Sequence, residues 1–184
     1  MNIFAIEKFQ DGSIDWIGSA KSQDNYRVVK MILESCQMLC TNLNHLYGEN
    51  VSPYRSCHLN HPSTKWARES SYNFEMLIIH TFALIEEYHA RFDNKRHKCE
   101  DVLEKIIDLY NPDLFPSSEP TELPMCMPDT FKGDCVIESY RKFYSSKPRI
   151  RYPKNKIPKW FLKYRGSDSF ETSDEVYDII KINL

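Results

Sequence analysis

Apolar side chains recur along this chain with a spacing that changes several times, and each spacing predicts a different element. Ile3 to Phe9 and Ser13 to Ile17 are rich in Ile, Phe and Trp. They flank Asp11-Gly12, a pair suited to positive backbone angles, so a short β-hairpin is expected within residues 1–20. From about Asn25 the spacing becomes helical. Val28, Ile32, Cys36, Leu39, Leu43 and Leu46 fall on one narrow arc of a helical wheel, which predicts a helix ending near Tyr47-Gly48. Arg27, Lys30, Glu34, Thr41 and His45 fall on its opposite side. Pro62 stands where a proline can start a helix, and Trp66, Phe74, Leu77, Ile78, Thr81, Leu84, Ile85, Tyr88 and Phe92 continue one stripe. That stripe predicts a long central helix of about thirty residues.

Further along, Val102, Ile106 and Leu109 predict a shorter amphipathic helix from Asp101 to Tyr110, and helix is expected again from about Cys135 to Tyr144. Between them, Pro112, Pro116, Pro120, Pro124 and Pro128 forbid regular helix and imply an extended loop wrapped on the body. The last part is broken by Pro148, Pro153 and Pro158, and the acidic stretch from Glu171 to Leu184 is expected to close the fold or cover a basic face. The expected class is therefore mainly α: a compact, single-domain helical fold over residues 1–184. It has an N-terminal hairpin at 1–20, a helical body with a long central helix at 25–145, and an irregular, Pro-rich, basic-aromatic segment with an acidic tail at 146–184.

Composition sharpens this picture at one place. The chain has 184 residues, enough for one domain with a real core, and a formal net charge of only -2. Yet Arg141 to Arg165 carries ten Lys or Arg and no Asp or Glu, so removing those ten positives leaves -12 on the rest. Six aromatics, Phe143, Tyr144, Tyr152, Trp160, Phe161 and Tyr164, are interleaved with the cations. Cations release counterions when they neutralise phosphates, and flat rings offer bases a stacking face, so the tract fits a polyanion such as nucleic acid. A solvated basic loop is the plainer reading. No apolar run approaches the ~18 residues needed to cross a bilayer, and the opening residues lack the order of a secretory signal, so a cytoplasmic protein without membrane contact is expected. The six cysteines form no Cys-x-x-Cys pair and read as reduced thiols, with no metal or other cofactor implied. Cys36 and Cys40, one helical turn apart, are poorly placed for a mutual disulfide.

Glu34 is the carboxylate that stands out, with Arg27, Lys30 and His45 on neighbouring turns of the first long helix. Burial or a nearby cation would tune such a group for catalysis; a surface pair with Lys30 at four-residue spacing is the alternative. His58, His61, Lys65 and Arg68 crowd the start of the central helix, where backbone donors favour an anion, although His61 is also placed to cap that helix. Glu86-Glu87 and Asp93 with His97 lack the spacing of a metal motif, and no Gly-rich phosphate loop or Gly-x-Ser-x-Gly turn is present.

Two segments resemble a known family. Met127-Pro128-Asp129-Thr130-Phe131-Lys132-Gly133-Asp134, followed by Ile157 to Gly166 with its Trp160-Phe161-Leu162-Lys163-Tyr164 core, is similar to the carboxyl-terminal part of phage pyrimidine-dimer DNA glycosylases of the endonuclease V type. Asn25 to Glu34 resembles the family's first helix, with Glu34 at the catalytic glutamate, and His61 matches a family histidine. The resemblance implies a mostly helical domain that binds damaged duplex DNA, extrudes a nucleotide and attacks the sugar C1′ with an N-terminal amine, here that of Met1. An α-amine titrates near pH ~7.7 to 8.0 and is substantially neutral in cells, which suits Schiff-base chemistry. Arg149, Arg151, Lys159, Lys163 and Arg165 would then hold phosphates, and Trp160 and Tyr164 would pack on sugar or base. Arg27, Lys30, His61 and Arg68 complete the expected substrate contacts. The chain departs from the family at Leu33 and Gln37, where arginines are usual, and in having Asn2 after Met1. Those departures motivate a second reading, a non-catalytic phage protein that binds a nucleotide, modified base or nucleic acid on the same scaffold.

Overall fold

A computed structural model describes residues 1–165; the acidic stretch expected to close the fold lies outside them. The described residues form seven α-helices and two single 3₁₀ turns: α1 Trp16–Lys21, α2 Asn25–Tyr47, α3 Pro62–Glu69, α4 Ser71–Arg91, α5 Glu100–Leu109, α6 Val136–Ser145 and α7 Lys159–Arg165. The 3₁₀ turns, Pro112–Leu114 and Asp129–Phe131, punctuate the proline-rich connection.

The longest predicted helix boundaries are those of α2, and both have a local cause. Asp24 caps its start, accepting the Tyr26 N–H, and Gly48 ends it in the left-handed conformation at φ 74°. Its apolar arc, Val28, Ile32, Cys36, Leu39 and Leu43, is fully buried against α4, α3 and α5. Burying that stripe is the dominant stabilisation of the element, worth about 1.5–3 kcal/mol for each large side chain removed from water.

Two expectations are corrected. The central helix is two helices, because Ser70 is extended (φ -152°, ψ 156°) and its hydroxyl caps α4 through the Asn73 N–H. The apolar stripe runs on through this break, since Trp66 of α3 and Phe74 and Leu77 of α4 all face the core. The N-terminal hairpin is not formed. Its turn exists, with Gly12 at φ 89° and Phe9 N–H bonded to Ser13 O at 2.9 Å, but pairing stops at one bridge between Lys8 and Ile14. A half-exposed strand needs alternating burial, whereas Ile3, Phe4, Ala5 and Ile6 are all buried in succession. The Ser19 hydroxyl accepts the N–H groups of Ile6 and Glu7, which occupies the donors a partner strand would use. Asp15 then caps α1 by accepting the Gly18 N–H at 2.7 Å, so Trp16 and Ile17 become helical.

The C-terminal part folds back over the start of α2. Tyr144 of α6 accepts the Asp24 N–H and donates to its carboxylate, Asn25 N–H bonds Arg151 O at 2.8 Å, and the Tyr152 hydroxyl donates to Ser22 O. The N-terminal run is tied to the same helix by Arg141, whose Nε donates to Ile6 O at 2.7 Å. Phe4 packs edge-on against Tyr144, with ring centroids 4.9 Å apart. The N-terminal run and the C-terminal part are thereby joined through α6.

Candidate active site

Met1 reaches α2 at Glu34, well inside the helix, and its side chain anchors it there. The thioether side chain is 5 % exposed and packs on the core, while the residue as a whole is partly exposed, so the surface it presents is its main-chain, amine end. The α-amine lies 3.9 Å from Glu34 Oε2, and Lys30 Nζ lies 3.1 Å from Glu34 Oε1. Glu34 is 15 % exposed, so both oxygens face cations within a partly enclosed site. The helical pair with Lys30, the plainer sequence reading, is formed; the amine is an additional partner from 33 residues away in sequence.

Two further cationic or proton-bearing groups come from other elements. His61 caps α3 by accepting the Ser63 N–H at Nδ1, 3.2 Å away, which makes its neutral form the Nε2–H tautomer. Burial pushes the imidazole below its ordinary range; the Met1 ammonium and His58 push the same way, and Glu34 opposes them. These couplings place His61 in the same electrostatic neighbourhood as the amine and the carboxylate. Lys147, just after α6, rests with Nζ 3.6 Å from the Phe143 ring centroid. Its pKa is lowered by burial and by Arg27 and Lys30, and raised by Glu34. Arg165 of α7 bonds the Lys147 carbonyl at 3.3 Å, which ties the end of the basic tract to this corner.

The other expected contacts divide sharply. Arg27 is a core residue: Nη1 lies 2.8 Å from Asp24 Oδ2, Nη2 donates to Pro148 O, and the guanidinium sits 5.1 Å from the Tyr144 ring centroid. Its place as a substrate contact is corrected to a clamp joining α2 to the basic segment, because an unpaired buried Asp24 would be costly. Trp160 is also buried, with its indole N–H on Glu7 Oε1 at 2.7 Å, and Tyr164 donates its hydroxyl to Glu138 at 2.7 Å. These rings hold α7 to the body: Trp160 is buried, and Tyr164 is partly exposed with its hydroxyl engaged. Arg68 donates to Leu59 O at 2.8 Å and fixes the loop before α3. Arg149 is exposed with a strained φ of 58°, Arg151 is half-buried, and Lys159 and Lys163 are exposed on α7.

Sequence reasoning passed over Lys147, although it lies inside the basic tract. Its electrostatic coupling to Glu34 follows from α6 folding back on the start of α2 through Tyr144 and Asp24, a pairing 120 residues apart that leaves no local signature. The Met1 amine, the Glu34 carboxylate and Lys30, with His61 and Lys147 within electrostatic reach of them, have the groups needed to bind an anionic sugar-phosphate, form an imine with a sugar carbon and move a proton. Among the described residues, no group of three His, Cys, Asp or Glu is placed to hold a metal ion, and no helix is long and apolar enough to cross a membrane. No family model, no curated protein and no solved structure matches the chain.

Proposed function

We propose that the chain is a DNA-processing N-glycosylase with an associated lyase step, acting on damaged or modified pyrimidines in duplex DNA. The observation that carries this reading is the Met1 amine 3.9 Å from Glu34, a carboxylate that Lys30 also pairs, with His61 and Lys147 within electrostatic reach of it. In the proposed reaction the amine nitrogen attacks C1′ of an extruded nucleotide as the bond to the base breaks, and the base leaves with a proton. Ring opening then gives an imine between Met1 and the sugar. Glu34 assists glycosidic cleavage and takes the C2′ proton in the elimination that expels the 3′ phosphate. Lys30 and Lys147 neutralise the flanking phosphates, which lowers the cost of bringing a polyanion to a carboxylate.

Glu34→Gln keeps the shape of the side chain and removes its charge. Incision of dimer-containing duplex should fall by about 10²-fold or more while binding stays within a few-fold. Unchanged incision would reject the role of Glu34. Tight binding of a nucleotide without turnover, insensitive to Glu34→Gln, would instead favour the non-catalytic reading.

A further inference from the structure

A second cationic corner lies further along α2, on the side that carries Glu34. Positions 34 and 45 are eleven residues apart on that helix, about three turns, so His45 shares the Glu34 face at roughly 16 Å along the axis. There His45, with Lys65 and Arg68 of α3, lines a cleft of about 330 Å³. Arg68 is fixed in place by the body of the protein. Its Nη1 donates to Leu59 O at 2.8 Å and reaches Asn42 Oδ1 at 3.4 Å, and the fully buried Asn42 in turn donates its amide to Thr64 O at 2.9 Å. Both Nη1 hydrogens are thereby engaged, while the Nε and Nη2 edge is bonded to nothing among the described residues. That free edge is the fork that meets two oxygens of one phosphate. Lys65, three positions earlier and exposed, lines the same cleft. Glu69, the carboxylate on the cleft wall, accepts the Thr121 hydroxyl at 2.9 Å, and neither Lys65 nor Arg68 forms an ion pair among the described residues. Burial holds the Arg68 guanidinium below its ordinary range, with Glu69 opposing, as befits a partly desolvated cation without a contacting anion.

The geometry points to a phosphate subsite at Lys65 and Arg68, one that takes a backbone phosphate of the duplex at a fixed distance from the reacting sugar. This inference rests on the DNA reading above and adds a place and a spacing to it. One strand of B-DNA advances about 3.4 Å per phosphate, so roughly 16 Å from Glu34 corresponds to about five phosphates. The Arg68 fork holds two non-bridging oxygens of that phosphate, and Lys65 adds a second positive charge beside it. The contact sets the register of the duplex against Glu34 and reads no base. It also explains a partnerless guanidinium edge held rigid by a buried asparagine, which reaches its bound geometry at little cost in side-chain entropy.

The test is a set of anisotropy titrations over a salt series, with the full chain carrying Glu34→Gln so that the duplex is not cut. Lys65 is the residue changed, because Arg68 also fixes the loop before α3. Three duplexes each carry one dimer: a long one with about ten base pairs on both sides, and two shortened to about two base pairs on the 5′ or the 3′ side. Lys65→Ala should lower the slope of log affinity against log salt by about 0.9 on the long duplex and on one shortened duplex. On the other, whose flank no longer reaches the cleft, the slope should not change, and Lys65→Arg should restore the long-duplex value. A slope unaffected on the long duplex, or lowered equally on all three, overturns the subsite. Failure of the chain to bind any of the three brings down the DNA reading itself, and the subsite with it.

Discussion

The Asp24 carboxylate and the Arg27 guanidinium, 2.8 Å apart, form a buried ion pair at the first turn of α2, and the Tyr144 hydroxyl donates to the same carboxylate oxygen. This pair fastens the basic segment to α2, because Arg27 also bonds Pro148 O, next to Lys147. Removing one partner strands the other charge in the core. Arg27→Ala should therefore cost about 3–5 kcal/mol. Urea unfolding of the variant measures this directly; a loss below about 1 kcal/mol would contradict the clamp.

His80 predicts the acid limb of stability. Its ring lies in the core between Trp16 O, 2.8 Å from Nδ1, and the Gln23 amide, 3.3 Å from Nε2. Burial lowers its pKa from 6.5 to about 4, with the bond to Trp16 opposing. Between those values the unfolded chain binds the extra proton, so stability rises with pH and is lost as pH falls from 6.5 towards 4. The full loss from this one group is roughly 3 kcal/mol. Denaturant midpoints at pH 7 and pH 4.5 should lie much closer together in His80→Gln than in the unaltered chain; an equal gap would remove His80 as the cause.

Lys147 should reveal its role in the salt dependence of binding. A lysine that neutralises one phosphate contributes about 0.9 to the slope of log affinity against log salt. Lys147→Ala should reduce the slope on duplex DNA by about that amount, whatever the sequence of the duplex. Anisotropy titrations across a salt series give the slope, and an unchanged value would place Lys147 outside the DNA path.

How legible all this was depended on whether the cause was local. The span of α2 could be read because an apolar arc from about Asn25 coincides with a Gly end, while the Asp24 cap came from the structure. The break at Ser70 was hidden, since the core stripe from Trp66 to Phe74 crosses it and the only sign is one capping hydroxyl. The missing hairpin follows from burial on both faces of Ile3 to Ile6, which depends on distant partners such as Arg141, 135 residues away, on the Ile6 carbonyl. Glu34 and Lys30 stand out in the sequence, and the structure adds the Met1 amine 3.9 Å from that carboxylate, a contact no local spacing announces. Trp160, Tyr164 and Arg27 have the composition of ligand contacts, but each is satisfied internally by Glu7, Glu138 or Asp24. Composition counts charges and rings; it does not say which ones the fold consumes.

The central claim is that the Met1 amine is the group that reacts. Borohydride reduction during incubation with dimer-containing duplex DNA traps an imine as a stable covalent adduct, and peptide mapping locates it. The account predicts an adduct on the Met1 nitrogen that disappears when residues are added ahead of Met1. No adduct, or one formed equally well on the extended chain, would contradict it.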